Sequence, residues 1–177
     1  DMEVVGVMRG FEGLLDGDFR PLGARDVGGI IHRGGTILQT ARSTRFMEHQ
    51  WQEKAAGNLL DAGIQGLAVI GGGGSFQGAR ELQKRGVAVA GIPGTIDNDI
   101  AGTELTIGFR TAVETALDAV MRLRDTASSH DRLFVVEVMG GRSGFLALDV
   151  AVAGGAEAVI VPEVQTGTIR LSDRILS

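Results

Sequence analysis

Two continuous apolar runs of strand length, Gly66–Ile70 (GLAVI) and Val87–Ile92 (VAVAGI), flank a stretch of helical composition. Runs without a polar alternate suit parallel strands covered on both faces. Two parallel neighbours need a crossover between them, and the intervening helix supplies it. The same alternation recurs along the chain. Glu3–Met8 reads as a short buried strand, and Phe11–Asp18 as a brief helical turn closed by Gly17. Met47–Asp61 has helical composition with Gly63 as its stop. The clearest helix runs from Phe109 to Ser128, with Ala112, Val113, Ala116, Leu117, Val120 and Met121 on one stripe. Leu133–Met139 and Ala158–Glu163 read as strands, Phe145–Ala153 as an apolar helix, and Thr168–Ser177 as a loop entering a helix. Ser75 is the expected N-cap of a helix ending near Gly86, and Pro93-Gly94 is expected to break the strand before it.

This order gives an α/β fold with a doubly wound, mainly parallel sheet. In such sheets ligands bind beyond the carboxyl ends of the strands. Four of those ends carry unusual loops: Gly71–Gly74, Pro93–Asp99, Gly140–Gly144, and the arginines Arg42 and Arg45 after Leu38. They are expected to converge on one crevice.

Composition narrows the function classes. The chain has 177 residues, 17 basic and 22 acidic side chains and a net charge of −5, with no Lys/Arg block. Nucleic-acid binding through a basic face is disfavoured. The absence of cysteine excludes disulfides, thiolate metal sites and a cysteine nucleophile, and is compatible with a reducing cytoplasm. No apolar run approaches the roughly 18 residues of a membrane span, and the first residues carry no signal-peptide pattern. The 28 glycines cluster at the ends of apolar runs, where backbone can approach a ligand.

A strand, a glycine turn and a helix start aim free N–H groups and a helix dipole at an anion. Gly71–Gly74 has that context but lacks the Gly-Lys-Ser/Thr of a P-loop. From the residues alone, a phosphate cradle and a merely tight turn both remain open. In PGTIDND (Pro93–Asp99), Asp97 and Asp99 flank Asn98. The two carboxylates suit either an Asx-type turn or a general base with a metal or water anchor. Arg42 and Arg132 are candidate phosphate clamps, with surface ion pairs as the alternative. His32, His49 and His130 have no ligand-like spacing, and Trp51 reads as packing.

The segments IIHRGGTILQTAR, GGGGSFQGA, PGTIDNDIAGTELTIGFRTA, RDTASSHDR and VEVMGGRSG occur in the order and spacing of the 6-phosphofructokinases, which the chain resembles over almost its whole length. The resemblance implies a phosphofructokinase-like, Rossmann-type lobe that is incomplete at both ends. It implies a single partial domain over 1–177, the nucleotide-binding lobe running into the sugar-phosphate lobe near 140–177. About thirty preceding residues and all that follows Ser177 are expected to be missing, leaving an apolar sheet edge. The activity implied is transfer of the ATP γ-phosphoryl group to the 1-hydroxyl of fructose 6-phosphate in glycolysis, with Mg²⁺.

Position by position, the family pattern makes Asp97 the catalytic base, with Thr95 and Asp99 beside it. Gly72, Gly73, Gly74, Ser75 and Gly78 fall in the ATP segment, together with Phe11, Arg42 and Ser43. Thr95, Ile96, Asp97, Met139, Gly140 and Gly141 line the sugar site. Arg132 reaches the sugar phosphate of a neighbouring subunit, which implies a homo-oligomer, either tetramer or dimer. Arg124 matches an effector-site arginine of the allosteric enzymes. Gly74 and Gly94 resemble the ATP-dependent rather than the pyrophosphate-dependent branch, which has Asp and Lys there. Two departures stand out. The family's Mg²⁺-binding aspartate is Gly73 here, and the arginine of its Met-Gly-Arg segment is Gly141, with Arg142 next to it. A non-catalytic nucleotide- or sugar-phosphate-sensing homologue is the alternative they raise.

Overall fold

The computed structural model describes residues 2–164. The expected loop and helix at Thr168–Ser177 lie outside that range. The elements in chain order are β1 (Val4–Val7), α1 (Phe11–Asp16), β2 (Phe19–Leu22), α2 (His49–Asp61), β3 (Gly66–Gly71), α3 (Gly73–Gln83), β4 (Ala88–Thr95), β5 (Ile107–Gly108), α4 (Phe109–His130) and α5 (Phe145–Gly154). A 3₁₀ turn, Arg45–Met47, precedes α2, so that helix starts two residues later than its composition suggests.

β3, β4 and β5 form one sheet in that order. Gly66 lies against Ala88 at one end and Ile70 against Gly94 at the other, so β3 and β4 run in the same direction. β5 is parallel to β4, with Gly94 opposite Ile107 and Thr95 opposite Gly108. The parallel α/β core is therefore present. β4 continues through Pro93 to Thr95 rather than breaking there. Pro93 precedes the two residues that pair with β5, so its missing N–H deprives no ladder on that side.

Three strand expectations are corrected. Glu3–Met8 contributes β1, but β1 pairs antiparallel with β2 in a separate two-stranded sheet and does not join the parallel sheet. Leu133–Met139 and Ala158–Glu163 are not strands. A strand needs neighbours for its N–H and C=O groups; among the described residues neither segment belongs to a sheet. The apolar side chains Val135 and Met139 are left 84% and 76% exposed.

The chain separates into two compact units. The first comprises the residues up to Val69 with Gly74–Gly91. Its core joins Leu14 and Leu15 of α1, Phe46 of the 3₁₀ turn, Ala55, Ala56 and Leu59 of α2, and Leu82 and Val87. Asn58 Nδ2 donates to the carbonyls of Leu14 (2.7 Å) and Leu15 (3.2 Å), satisfying the end of α1. The second comprises Ile70–Gly73 and the residues from Ile92 onward. There Phe109, Leu146 and Val150 form the core, with Ala112, Val113, Ala116 and Val120 of α4 packed on it. Met121, expected on the same stripe, is exposed.

Candidate active site

β3 ends at Gly71 and α3 begins at Gly73, so the helix takes the glycines into its own first turn. Ser75 is therefore inside α3 and does not cap it. None of Gly71–Gly74 has a positive φ; backbone conformation does not demand glycine there. Space decides instead. A Cβ on Gly72 would stand 3.3 Å from Cβ of Thr95, whereas one on Gly73 or Gly74 would meet nothing within 4 Å. The turn is thus tight where it touches β4 and bare where α3 starts. A Cβ on Gly94 would come 3.0 Å from Ile70 Cγ2, so this position has no room for a larger residue without moving Ile70.

Thr95–Asp99 follows directly from β4. The Asp97 N–H donates to Thr95 Oγ1 (3.2 Å). Asn98, at φ 52°, accepts the Thr106 N–H on Oδ1 (2.9 Å). The buried Thr106 hydroxyl donates to the Thr95 carbonyl (2.7 Å). Ile96 packs on the core beneath. The turn-forming work is done by Thr95, Asn98 and Thr106. Among the described residues no hydrogen bond or ion pair engages the half-buried Asp97 carboxylate or that of Asp99, which is exposed. A carboxylate held on a fixed peptide and left unspent is what a general base requires.

The Gly140–Gly144 loop closes on the same residue. Ser143 Oγ donates to the Asp97 carbonyl (2.8 Å), and Gly144 N–H to Glu163 Oε1 (2.8 Å). Gly141 has φ 62°, and a Cβ there would lie 3.4 Å from Asp97 Oδ2. Of the four loops expected to converge, three do so within the second unit: Gly71–Gly73, Thr95–Asp99 and Gly140–Gly144. Arg42 belongs to the first unit. Ser143, Thr106, Asn98 and Glu163 escaped the sequence reading as site residues.

The phosphofructokinase family profile matches residues 1–177. The chain belongs to the phosphofructokinase family. ATP-dependent 6-phosphofructokinase 1 of Thermus thermophilus is 56% identical over 163 residues, 92% of this chain and 51% of the relative. ATP-dependent 6-phosphofructokinase of Natranaerobius thermophilus is 50% identical over 174 residues, 98% of this chain and 54% of the relative. The chain spans about half the length of the curated relatives it matches. Among solved structures, Pichia pastoris phosphofructokinase in the T-state superposes with a TM-score of 0.90 at 36% identity, over 97% of this chain and 20% of that one. The Saccharomyces cerevisiae phosphofructokinase gives 0.88 at 35%, over 98% and 27%.

The other positions singled out by the phosphofructokinase pattern have these surroundings. Phe11 stacks on Phe46 with ring centroids 4.2 Å apart, and its ring lies over the buried Gly78. Ser43 Oγ accepts the Phe46 N–H (3.2 Å) just ahead of α2. Arg42 is exposed. Arg45 is paired with Glu12 and with Asp16, the latter at 3.1 Å, and lies 5.3 Å from the Trp51 ring centre. The Arg45 guanidinium, helped by Ser43, holds the Glu12 carboxyl below its ordinary range. Arg124 Nη1 donates to the Gly154 carbonyl (2.9 Å), satisfying the end of α5. Arg132 and Met139 are exposed, and Gly140 is half-buried.

At the position where the family pattern places its magnesium-binding aspartate, no side-chain oxygen is present. Gly73 supplies no oxygen beyond its backbone. No group of three or more His, Asp or Glu able to hold a metal occurs among the described residues. No helix among them is long and apolar enough to cross a membrane.

Proposed function

We propose that this chain is the nucleotide-binding lobe of an ATP-dependent 6-phosphofructokinase, running into the sugar-phosphate lobe near 140–177. The reaction is transfer of the ATP γ-phosphoryl group to the 1-hydroxyl of fructose 6-phosphate, in cytoplasmic glycolysis. One observation carries the reading: the unspent Asp97 carboxylate stands on a peptide pinned from two sides, at the carboxyl end of a parallel strand next to a bare glycine turn. Asp97 takes the proton of the attacking hydroxyl, and the sugar lies along Thr95, Ile96, Gly140 and Gly141. The backbone N–H groups of Gly72 and Gly73 at the start of α3 receive the phosphates, Gly74 resting on the family pattern alone. Asp99 stays beside the base as a second, water-facing carboxylate. Ser75, Gly78, Phe11, Arg42 and Ser43 as nucleotide contacts rest on the family pattern alone. So do Met139 as a sugar contact, Arg124 as an effector ligand, and Arg132 as a group reaching the neighbouring subunit of a homo-oligomer. ATP is the proposed cosubstrate. Mg²⁺, expected of the family, has no ligand at Gly73, and no step is assigned to it.

A second reading, a non-catalytic nucleotide- or sugar-phosphate-sensing homologue, is favoured by Gly141. Its left-handed φ of 62° is one that an arginine there would occupy only under strain. A coupled assay of fructose 6-phosphate-dependent ADP release by the full-length protein separates the two. Turnover that Asp97→Asn lowers by at least ~100-fold supports the kinase. ATP binding without any turnover at high enzyme concentration establishes the sensor.

A further inference from the structure

We propose that Ser143 is a positioning residue for Asp97, a role that rests on the catalytic reading of Asp97. Buried polar side chains are few among the described residues: Gln52, Thr106 and Ser143. Gln52 Nε2 donates to the Phe46 carbonyl in the first unit. Both others are spent on the segment that carries Asp97. The Thr106 hydroxyl holds the Thr95 carbonyl (2.7 Å) and the Ser143 hydroxyl holds the Asp97 carbonyl (2.8 Å). A buried hydroxyl costs stability unless its bond is made, so each of these bonds is held in place by the penalty of breaking it.

Ser143 differs from Thr106 in where it comes from. Thr106 lies beside the same turn, in the short link to β5, whereas Ser143 enters from the loop ahead of α5, 46 residues away in sequence. That loop is itself anchored: the Ser143 N–H donates to the Gly140 carbonyl (2.9 Å) and the Gly144 N–H to Glu163 Oε1 (2.8 Å). A chain of bonds thus runs from Glu163 through the start of α5 to the Asp97 peptide. With no hydrogen bond to the Asp97 carboxylate among the described residues, the backbone is what aims it. The Ser143 bond fixes the Asp97 peptide against the Gly140–Gly144 loop, and so fixes where the base points relative to Gly141.

The test is Ser143→Ala, which removes one oxygen, with Ser143→Thr as the variant that retains the donor. Amide hydrogen exchange on this chain is expected to speed up about five-fold at Asp97 and Gly144, with Val113 in α4 unchanged, as for the loss of one bond. In the coupled assay kcat is expected to fall by about five- to ten-fold while KM for fructose 6-phosphate stays within about two-fold, and Ser143→Thr to recover most of it. Unchanged exchange at Asp97, or an equal rise at Val113, overturns the anchoring. Unchanged kcat despite faster exchange at Asp97 overturns the positioning role. A full-length wild-type protein without turnover refutes the catalytic reading itself, and the exchange result still decides whether Ser143 holds the loop.

Discussion

Gly78 is the position where a single added methyl group tells most about the packing. It is buried in the middle of α3, and a Cβ there would lie 2.7 Å from Cε2 and 3.0 Å from Cε1 of Phe11. The ring cannot simply retreat, because it stacks on the buried Phe46. Replacing a mid-helix glycine with alanine ordinarily gains ~1 kcal/mol. Overpacking a filled site costs about 1–3 kcal/mol, and disturbing a stacked aromatic pair about 0.5–1.5 kcal/mol more. The net expectation for Gly78→Ala is a loss of roughly 0.5–3.5 kcal/mol, centred near 2, where Tm falls by about 4–8 °C in a chain of this size. The assay is urea and thermal unfolding followed by Trp51, the chain's single tryptophan, which packs in the same unit. Gly57→Ala in α2 is the control, since a Cβ there meets nothing within 4 Å; it should stabilise. The double variant Gly78→Ala with Phe11→Leu should recover part of the loss. If Gly78→Ala stabilises as Gly57→Ala does, the close contact between α3 and Phe11 is wrong.

Two further outcomes follow from single positions. The Glu12 carboxyl lies below its usual value of 4.5 in the folded chain, chiefly through the hydrogen bond from Arg45. Its contribution is therefore complete above that value and is lost as pH falls through the lowered one. Glu12→Gln should flatten the acid side of a Tm-against-pH curve and leave the slope near neutrality unchanged. Gly141→Ala should cost about 1–2 kcal/mol through its left-handed backbone, and Gly141→Asn appreciably less, measured by denaturant midpoint at constant m-value.

What the sequence disclosed and what it withheld divide along physical lines. β3 and β4 were legible because each is a fully apolar run bounded by glycine, and each finds its partner across one helix. Leu133–Met139 is apolar but for Glu137, yet strand formation depends on a neighbouring ladder that no local pattern reveals. Pro93 misled for a related reason: its cost depends on whether an acceptor waits on its N–H side, and β5 begins to pair one residue later. At the site, Gly71–Gly74 and Pro93–Asp99 stood out because their chemistry is concentrated in consecutive residues. The division of labour inside Pro93–Asp99 was not visible. That Asn98 takes the structural bond and leaves Asp97 free follows from Thr106, which only the fold brings to it. Ser143 is hidden more deeply, since its hydroxyl acts on a carbonyl 46 residues away. The signal available was a lone serine among the glycines of GGRSG.

The proposed role of the bare turn at the start of α3 is to bind ATP phosphates, with no side-chain metal ligand at Gly73. Calorimetric titration of ATP into this chain, with and without Mg²⁺, tests it most directly, alongside Gly73→Asp, whose new Cβ has open space around it. The account expects ATP to bind with a Kd that Mg²⁺ changes by less than about two-fold, and expects Gly73→Asp to make Mg²⁺ tighten binding by about ten-fold or more, the effect of restoring one carboxylate to a nucleotide-bound metal. Tightening of that size in the unaltered chain would contradict it.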